Sequence, residues 1–166
     1  MKAERTIAII GDTGIFFPGL VGDLAGQNVR LLFVSHEEEK NTEIKNLLTQ
    51  TGSPADVEFI SCEKEGCWEA DIIAFSHPEK VEPQLVQRIK DVATQKVVLV
   101  ITEIDKKETV SKIANFEELL PHSRVVKLAM DAEQKRVFVS AKDDEAGEMA
   151  EEFFRNAGYN INNNNN

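Results

Sequence analysis

The sequence predicts an α/β fold: a doubly wound, mostly parallel sheet with helices on both faces and one antiparallel edge strand. Three observations carry this. Short, nearly uninterrupted apolar runs rich in β-branched residues recur at the spacing of strand–helix units, as strands buried on both faces require. Helical apolar stripes lie between them. Two late runs are separated by only about five residues, too few for a parallel crossover of a dozen or more, so that pair runs antiparallel.

The expected strands are Thr6–Ile10, Val29–Val34, Val57–Ile60, Ile72–Phe75, Val97–Ile101, 124–130 and 136–141. The stripe Ile44, Leu47 and Leu48 predicts a helix over 42–50 that Gly52 ends. Val81, Leu85, Ile89 and Val92 predict one over 80–93, with Pro83 tolerable in the first turn. A third runs from Val110 to Leu120, where Pro121 stops it. The last spans Asp143 to Ala157, with Met149, Phe153 and Phe154 inward and Gly158 after it. A further helix is expected between the first two strands. Residues 161–166 read as an asparagine-rich tail with nothing to bury.

Charge narrows the partners. The 166 residues carry 29 acidic against 19 basic side chains, a net charge of −10, which argues against nucleic acid and anionic membranes. No apolar run is long enough to span a bilayer, and the first residues lack a secretory apolar segment, so a soluble cytoplasmic protein is expected. Cys62 and Cys67 form neither a disulfide framework nor a four-ligand metal set, and read as reduced bystanders in a surface connection. Trp68 is expected to pack on the sheet, and His122 to be exposed.

Chemistry concentrates where strands end. The first strand runs into Gly11-Asp12-Thr13-Gly14-Ile15-Phe16-Phe17, where glycines let backbone amides face a pyrophosphate at the positive end of a helix. Against G-x-G-x-x-G, Gly14 comes one residue late and Phe17 takes the third glycine's place. A tight strand–helix turn with Phe16 and Phe17 in the core explains the same residues equally well. After the second strand, Ser35 and His36 suit a ribose phosphate, while Glu37, Glu38 and Glu39 repel one. Ser35 with Glu38 also makes a capping box. Ser76, His77 and Pro78 follow the fourth strand at the rim where a nicotinamide ring would lie, and the same three residues can cap and steer the next helix.

Taken in order, these motifs resemble the N-terminal domain of the coenzyme F420-dependent NADP oxidoreductase family, whose relatives include pyrroline-carboxylate reductases and the ferric reductase domains of membrane metalloreductases. The resemblance runs from Thr6 to about Asn160. Gly11-x-Thr13-Gly14 resembles the family's phosphate turn, Ser35-His36 stands at its Ser-Arg pair, and Ala70 to Pro78 parallels a segment ending in Ala-Val-Pro. Leu120-Pro121-His122-Ser123-Arg124-Val125-Val126-Lys127 is similar to its Leu-Pro-x-x-Arg-Val-Val-Lys run. The chain departs from the pattern at Phe17, His36 and His77, and again over Leu128 to Asp131.

The resemblance implies a Rossmann-like dinucleotide-binding domain over 1–160, with NADP as cofactor and NAD as the alternative. Gly11, Thr13, Gly14, Ile15 and Phe16 would hold the pyrophosphate, Ser35 and His36 the adenosine ribose or its phosphate, and Ser76, His77 and Pro78 the nicotinamide. It implies no metal and singles out no catalytic residue. The expected partners are a small-molecule dinucleotide and, as in the family, a second copy of the chain in a homodimer. Full family members continue into helices that complete the substrate cleft, which this sequence does not reach. A non-catalytic module that keeps the fold and has lost the cofactor is the competing expectation.

Overall fold

The computed structural model describes residues 5–10, 29–35, 38–51, 56–76, 78, 81–104, 115–131 and 133–163. Eight strands form one sheet: β1 (Arg5–Ile10), β2 (Val29–Val34), β3 (Asp56–Ile60), β4 (Ile72–Ser76), β5 (Val97–Glu103), β6 (Arg124–Asp131), β7 (Arg136–Ala141) and β8 (Asn160–Asn163). Their spatial order is β3-β2-β1-β4-β5-β6-β7-β8. The first six are mutually parallel, and β7 pairs antiparallel with β6 in the register Val126↔Ala141 to Asp131↔Arg136. This is the Rossmann-type order, with a reversal between β1 and β4.

The described helices are α1 (Glu38–Thr51), α2 (Glu63–Glu69), α3 (Pro83–Ala93), α4 (Phe116–Leu119) and α5 (Asp144–Asn156). Two layers of core form because strand side chains alternate between faces. On one face Ile7, Ile9, Leu31, Phe33, Ile72, Ala74 and Leu99 meet Ile44 and Leu48 of α1 and Ala146, Ala150, Phe153 and Phe154 of α5. On the other, Ala8, Ile10, Leu32, Ile73, Phe75 and Val98 meet Cys67 of α2, Val86 and Ile89 of α3, and Phe116 of α4. Ile44 and Leu48 of the α1 stripe, and the expected stripes of α3 and α5, are therefore real contacts, with α3 entered at Pro83 and α5 capped by the Asp143 carboxylate accepting from the Ala146 amide at 2.8 Å.

The helix expected to run from Val110 to Leu120 is interrupted at Asn115, whose extended backbone caps α4 at Phe116. Three further expectations need correction. The stretch around Cys62 and Cys67, read as a surface connection, contains α2, with Gly66 and Cys67 buried. Glycine normally marks a break in a short helical pattern, and here its lack of a side chain is what seats the helix on β2. Trp68 does not pack on the sheet: it is 70% exposed, because the short α2 turns Gly66 and Cys67 inward and leaves the next position outward. The Lys96 ammonium instead covers the end of this helix, donating to the carbonyl oxygens of Cys67 at 2.5 Å and Trp68 at 2.7 Å.

The third correction concerns the end of the chain. Residues 161–163, expected in a tail, belong to β8, which runs parallel to β7 in the register Arg136↔Asn160 to Val139↔Asn163. Hence β8, and not β7, ends the sheet. Gly158, at φ +95°, turns the chain back after α5, and Tyr159 follows it into the core against Phe154, ring centroids 5.8 Å apart. One buried aromatic commits the next residues to the strand edge.

Candidate functional site at the carboxyl rim of the sheet

In an open doubly wound sheet, ligands bind beyond the carboxyl ends of strands where the order reverses. Here that point lies between β1 and β4. The last aligned pair of these strands is Ile10↔Phe75, so Ser76 stands one residue past it, paired on its other side with Ile101 of β5. The side chain of Ser76 falls on the sheet face of Ile72 and Ala74, the face that α1 covers. Ser76 is 0% exposed, and its Oγ has no hydrogen-bond partner. A buried hydroxyl without a partner costs about 1–3 kcal/mol, so such groups are rare unless something else satisfies them.

The neighbouring rim is occupied by contrast. Thr102 Oγ1 donates to the Leu128 carbonyl at 3.2 Å and the Ile104 amide to the Met130 carbonyl at 3.0 Å, closing the ends of β5 and β6 on each other. Pro78 is buried beside Ser76, and its carbonyl accepts from the Val81 amide at 3.2 Å, which fixes the entry to α3. Below them Phe75 packs on Phe116, centroids 4.9 Å apart. Ser76 is thus held on a rigid strand end.

On the other side of β1, the Ser35 amide donates to the Ile60 carbonyl at 3.1 Å, so this backbone group is committed to β3. Its half-buried side chain leads into α1, whose first turn carries Glu38 and Glu39, both exposed. One turn on, Asn41 Oδ1 is buried and without a partner. Sequence reasoning missed Asn41. The signal was present in the spacing: Asn41 precedes Ile44 and Leu48 by three and seven residues, so it continues their buried stripe as a polar residue on an apolar face.

Of the residues expected to hold a dinucleotide, the structure brings Ser76 and Pro78 together at the switch point and places Ser35 two strands away, at the end of β2. Gly11, Thr13, Gly14, Ile15, Phe16, Phe17, His36 and His77 lie outside the described residues. Among the described residues no group of three or more metal-ligating side chains occurs, and no helix is long and apolar enough to cross a membrane. The Cys67 thiol is buried and pushed up to about 12, chiefly by desolvation, which makes it a poor nucleophile.

No family model matches this chain, and no curated protein matches it by sequence. Solved structures do. The fold is similar to Plasmodium falciparum pyrroline carboxylate reductase with NADP bound, at TM-score 0.68 and 14% identity over 96% of this chain and 57% of that one. It is similar to the Coxiella burnetii pyrroline-5-carboxylate reductase at TM-score 0.66 and 16% identity, covering 99% of this chain and 60% of the other. It is similar again to an NAD+-dependent dismutase, 5-formyl-3-hydroxy-2-methylpyridine 4-carboxylic acid 5-dehydrogenase, at TM-score 0.63 and 17% identity, covering 97% and 57%. The chain therefore has the fold of NAD(P)-linked Rossmann oxidoreductases and spans somewhat under two thirds of the length of these three proteins.

Proposed function

We propose that this chain is the nicotinamide-dinucleotide-binding domain of an oxidoreductase, its sheet closed at one edge by β8 (Asn160–Asn163). The observation that carries the reading is the buried, unpartnered Ser76 hydroxyl at the strand-order reversal. A hydroxyl there is satisfied when a ligand lies across the rim, and fits a group presenting hydrogen-bonding oxygens and an amide, as a nicotinamide nucleotide does.

In this reading the backbone amides around Gly11, Thr13, Gly14, Ile15 and Phe16 hold the pyrophosphate, Ser35 and His36 lie toward the adenosine ribose, and Ser76, His77 and Pro78 border the nicotinamide. Hydride chemistry belongs to the cofactor, so the protein needs no nucleophile. Its part is to orient the ring and exclude water. The resemblance to the F420-dependent NADP oxidoreductases favours a nicotinamide reaction partner of that redox class.

Calorimetric titration of the full chain with NADH and NADPH tests the reading. Heat of binding and a raised melting temperature with at least one nucleotide are expected. No heat and no melting shift with either, at millimolar concentration, would remove it.

A further inference from the structure

β8 is the last strand in the sheet order, and among the described residues nothing pairs with its outer side. Its backbone groups divide between the two sides. The Asn160 amide donates to the Lys135 carbonyl at 2.8 Å, and the parallel register Arg136↔Asn160 to Val139↔Asn163 turns the backbone groups of Asn160 and Asn162 toward β7. Alternate residues of a parallel strand bond to opposite sides, so Ile161 and Asn163 direct their N–H and C=O groups outward. Such a row is a template for one more strand.

The two edges of the sheet are guarded differently. β3, at the other end, carries the exposed Asp56 and also Glu58, whose carboxylate lies 2.7 Å from Arg30; carboxylates placed so keep two like edges apart. β8 has no such device. From Tyr159 to Asn166 the sequence contains neither a charge nor a proline. The net charge of −10 is carried entirely elsewhere, so two copies repel over most of their surfaces and least along this edge.

The strand is also complementary to itself. Two copies of β8 running antiparallel about a twofold axis use both outward donors of each copy in one register, Ile161 opposite Asn163 and Asn163 opposite Ile161. The axis then passes between the two Asn162 residues, which form the close, non-hydrogen-bonded pair of the ladder. Asn162 is exposed, on the face away from the core on which Ile161 packs. A carboxamide both donates and accepts, so two Asn162 side chains bond to each other where two like charges would repel.

We propose that β8 is a self-association edge, pairing with β8 of a second copy of this chain and joining the two sheets into one. The pairing holds whether or not a dinucleotide binds. Because the contact is short, the dimer belongs to the small, transient class.

Sedimentation equilibrium of the full chain from micromolar to millimolar concentration, with amide hydrogen exchange at both extremes, tests this. The wild type should pass from monomer to dimer as concentration rises. The Ile161 and Asn163 amides should gain about fivefold or more in protection as it does, and those of Asn160 and Asn162, already bonded to β7, should gain less. Asn163→Pro removes an outward donor from each copy and none from the β7 ladder, and Asn162→Asp sets two carboxylates face to face. Each should raise the dissociation constant at least about tenfold. Exchange of the Asn160 amide at low concentration should match wild type in both variants, since β8 stays formed on β7. A wild type that remains monomeric to about 1 mM, or a dimer equally tight in either variant, would overturn the proposal. So would an open-ended series of larger species, which would mean that β8 meets a different surface of the next copy.

Discussion

A Cβ placed on Gly66 would sit 2.8 Å from Cγ2 of Val34. Helix α2 therefore rests on β2 at a separation that only glycine permits. Val34 is buried and β-branched, so its methyl cannot swing aside without leaving its rotamer. Gly66→Ala gains about 1 kcal/mol of helix propensity and loses about 1–3 kcal/mol to overpacking. The expected net effect is a loss of up to about 2 kcal/mol, seen as a fall of up to several degrees in melting temperature. Adding Val34→Ala opens the space, so the double variant should lose at least about 0.5 kcal/mol less than the sum of the two single losses. Simple additivity would show that the two groups do not meet.

The Ser76 hydroxyl offers a test that separates fold from function. In a satisfied core serine, replacement by alanine breaks a hydrogen bond and costs about 1 kcal/mol. Ser76 Oγ has no such bond to lose. Ser76→Ala should leave the unliganded melting temperature unchanged or slightly raised, yet weaken dinucleotide binding about three- to tenfold. A destabilised variant with undiminished affinity would mark Ser76 as a structural residue.

Glu117 on α4 ties three parts of the chain together. Its carboxylate lies 2.8 Å from Lys142 Nζ, ahead of α5, and 3.2 Å from Lys127 Nζ on β6. Hydrogen bonds from Lys142, then from Lys127, hold its acidity below the usual carboxylate range. A carboxyl depressed on folding contributes stability above its unfolded value, and that contribution disappears as pH falls through the folded one. Acid titration of stability should therefore show a loss beginning near pH 4.5 and continuing below it that is absent in Glu117→Gln. These groups are largely solvated, so the difference at neutral pH should stay below about 1 kcal/mol and shrink in high salt. No difference between the two acid limbs would dismiss the network.

How far the sequence revealed this molecule depended on the kind of signal. The parallel strands were legible because burial on both faces makes Ile72 to Phe75 or Val97 to Ile101 apolar throughout. The antiparallel β7 was legible from a connection too short for anything else. Helix α2 was hidden because Gly66 sits in its middle for a tertiary reason that local pattern does not encode. Of the site, Ser76 was legible from its place directly after an apolar strand, since ligands of such sheets bind beyond the carboxyl ends of the strands. That it is buried without a partner was not, because this depends on what surrounds it. Asn41 escaped notice because a polar residue on a helix is unremarkable until its neighbours at three and seven residues prove to face the core.

The outermost strand supplies the last test. Composition alone argued that residues 161–166 would not fold, since asparagine has low strand propensity and little to bury. Two residues outweigh it. Tyr159 is 4% exposed and packs edge-on against Phe154, and Ile161 packs partly buried on the core, while Asn160 and Asn162 face outward. The Asn160 amide also donates to the Lys135 carbonyl at 2.8 Å, pinning the start of the strand to the turn before β7. With one half-buried side chain holding its register, β8 should depend steeply on Ile161. Ile161→Asp places a charge against the core and should cost about 1–3 kcal/mol. Hydrogen exchange reads the effect locally: amides of β7 facing β8 should lose protection in the variant, while those of β1 and β4 keep theirs. Unchanged protection along β7 would mean that the strand edge is closed by something other than β8.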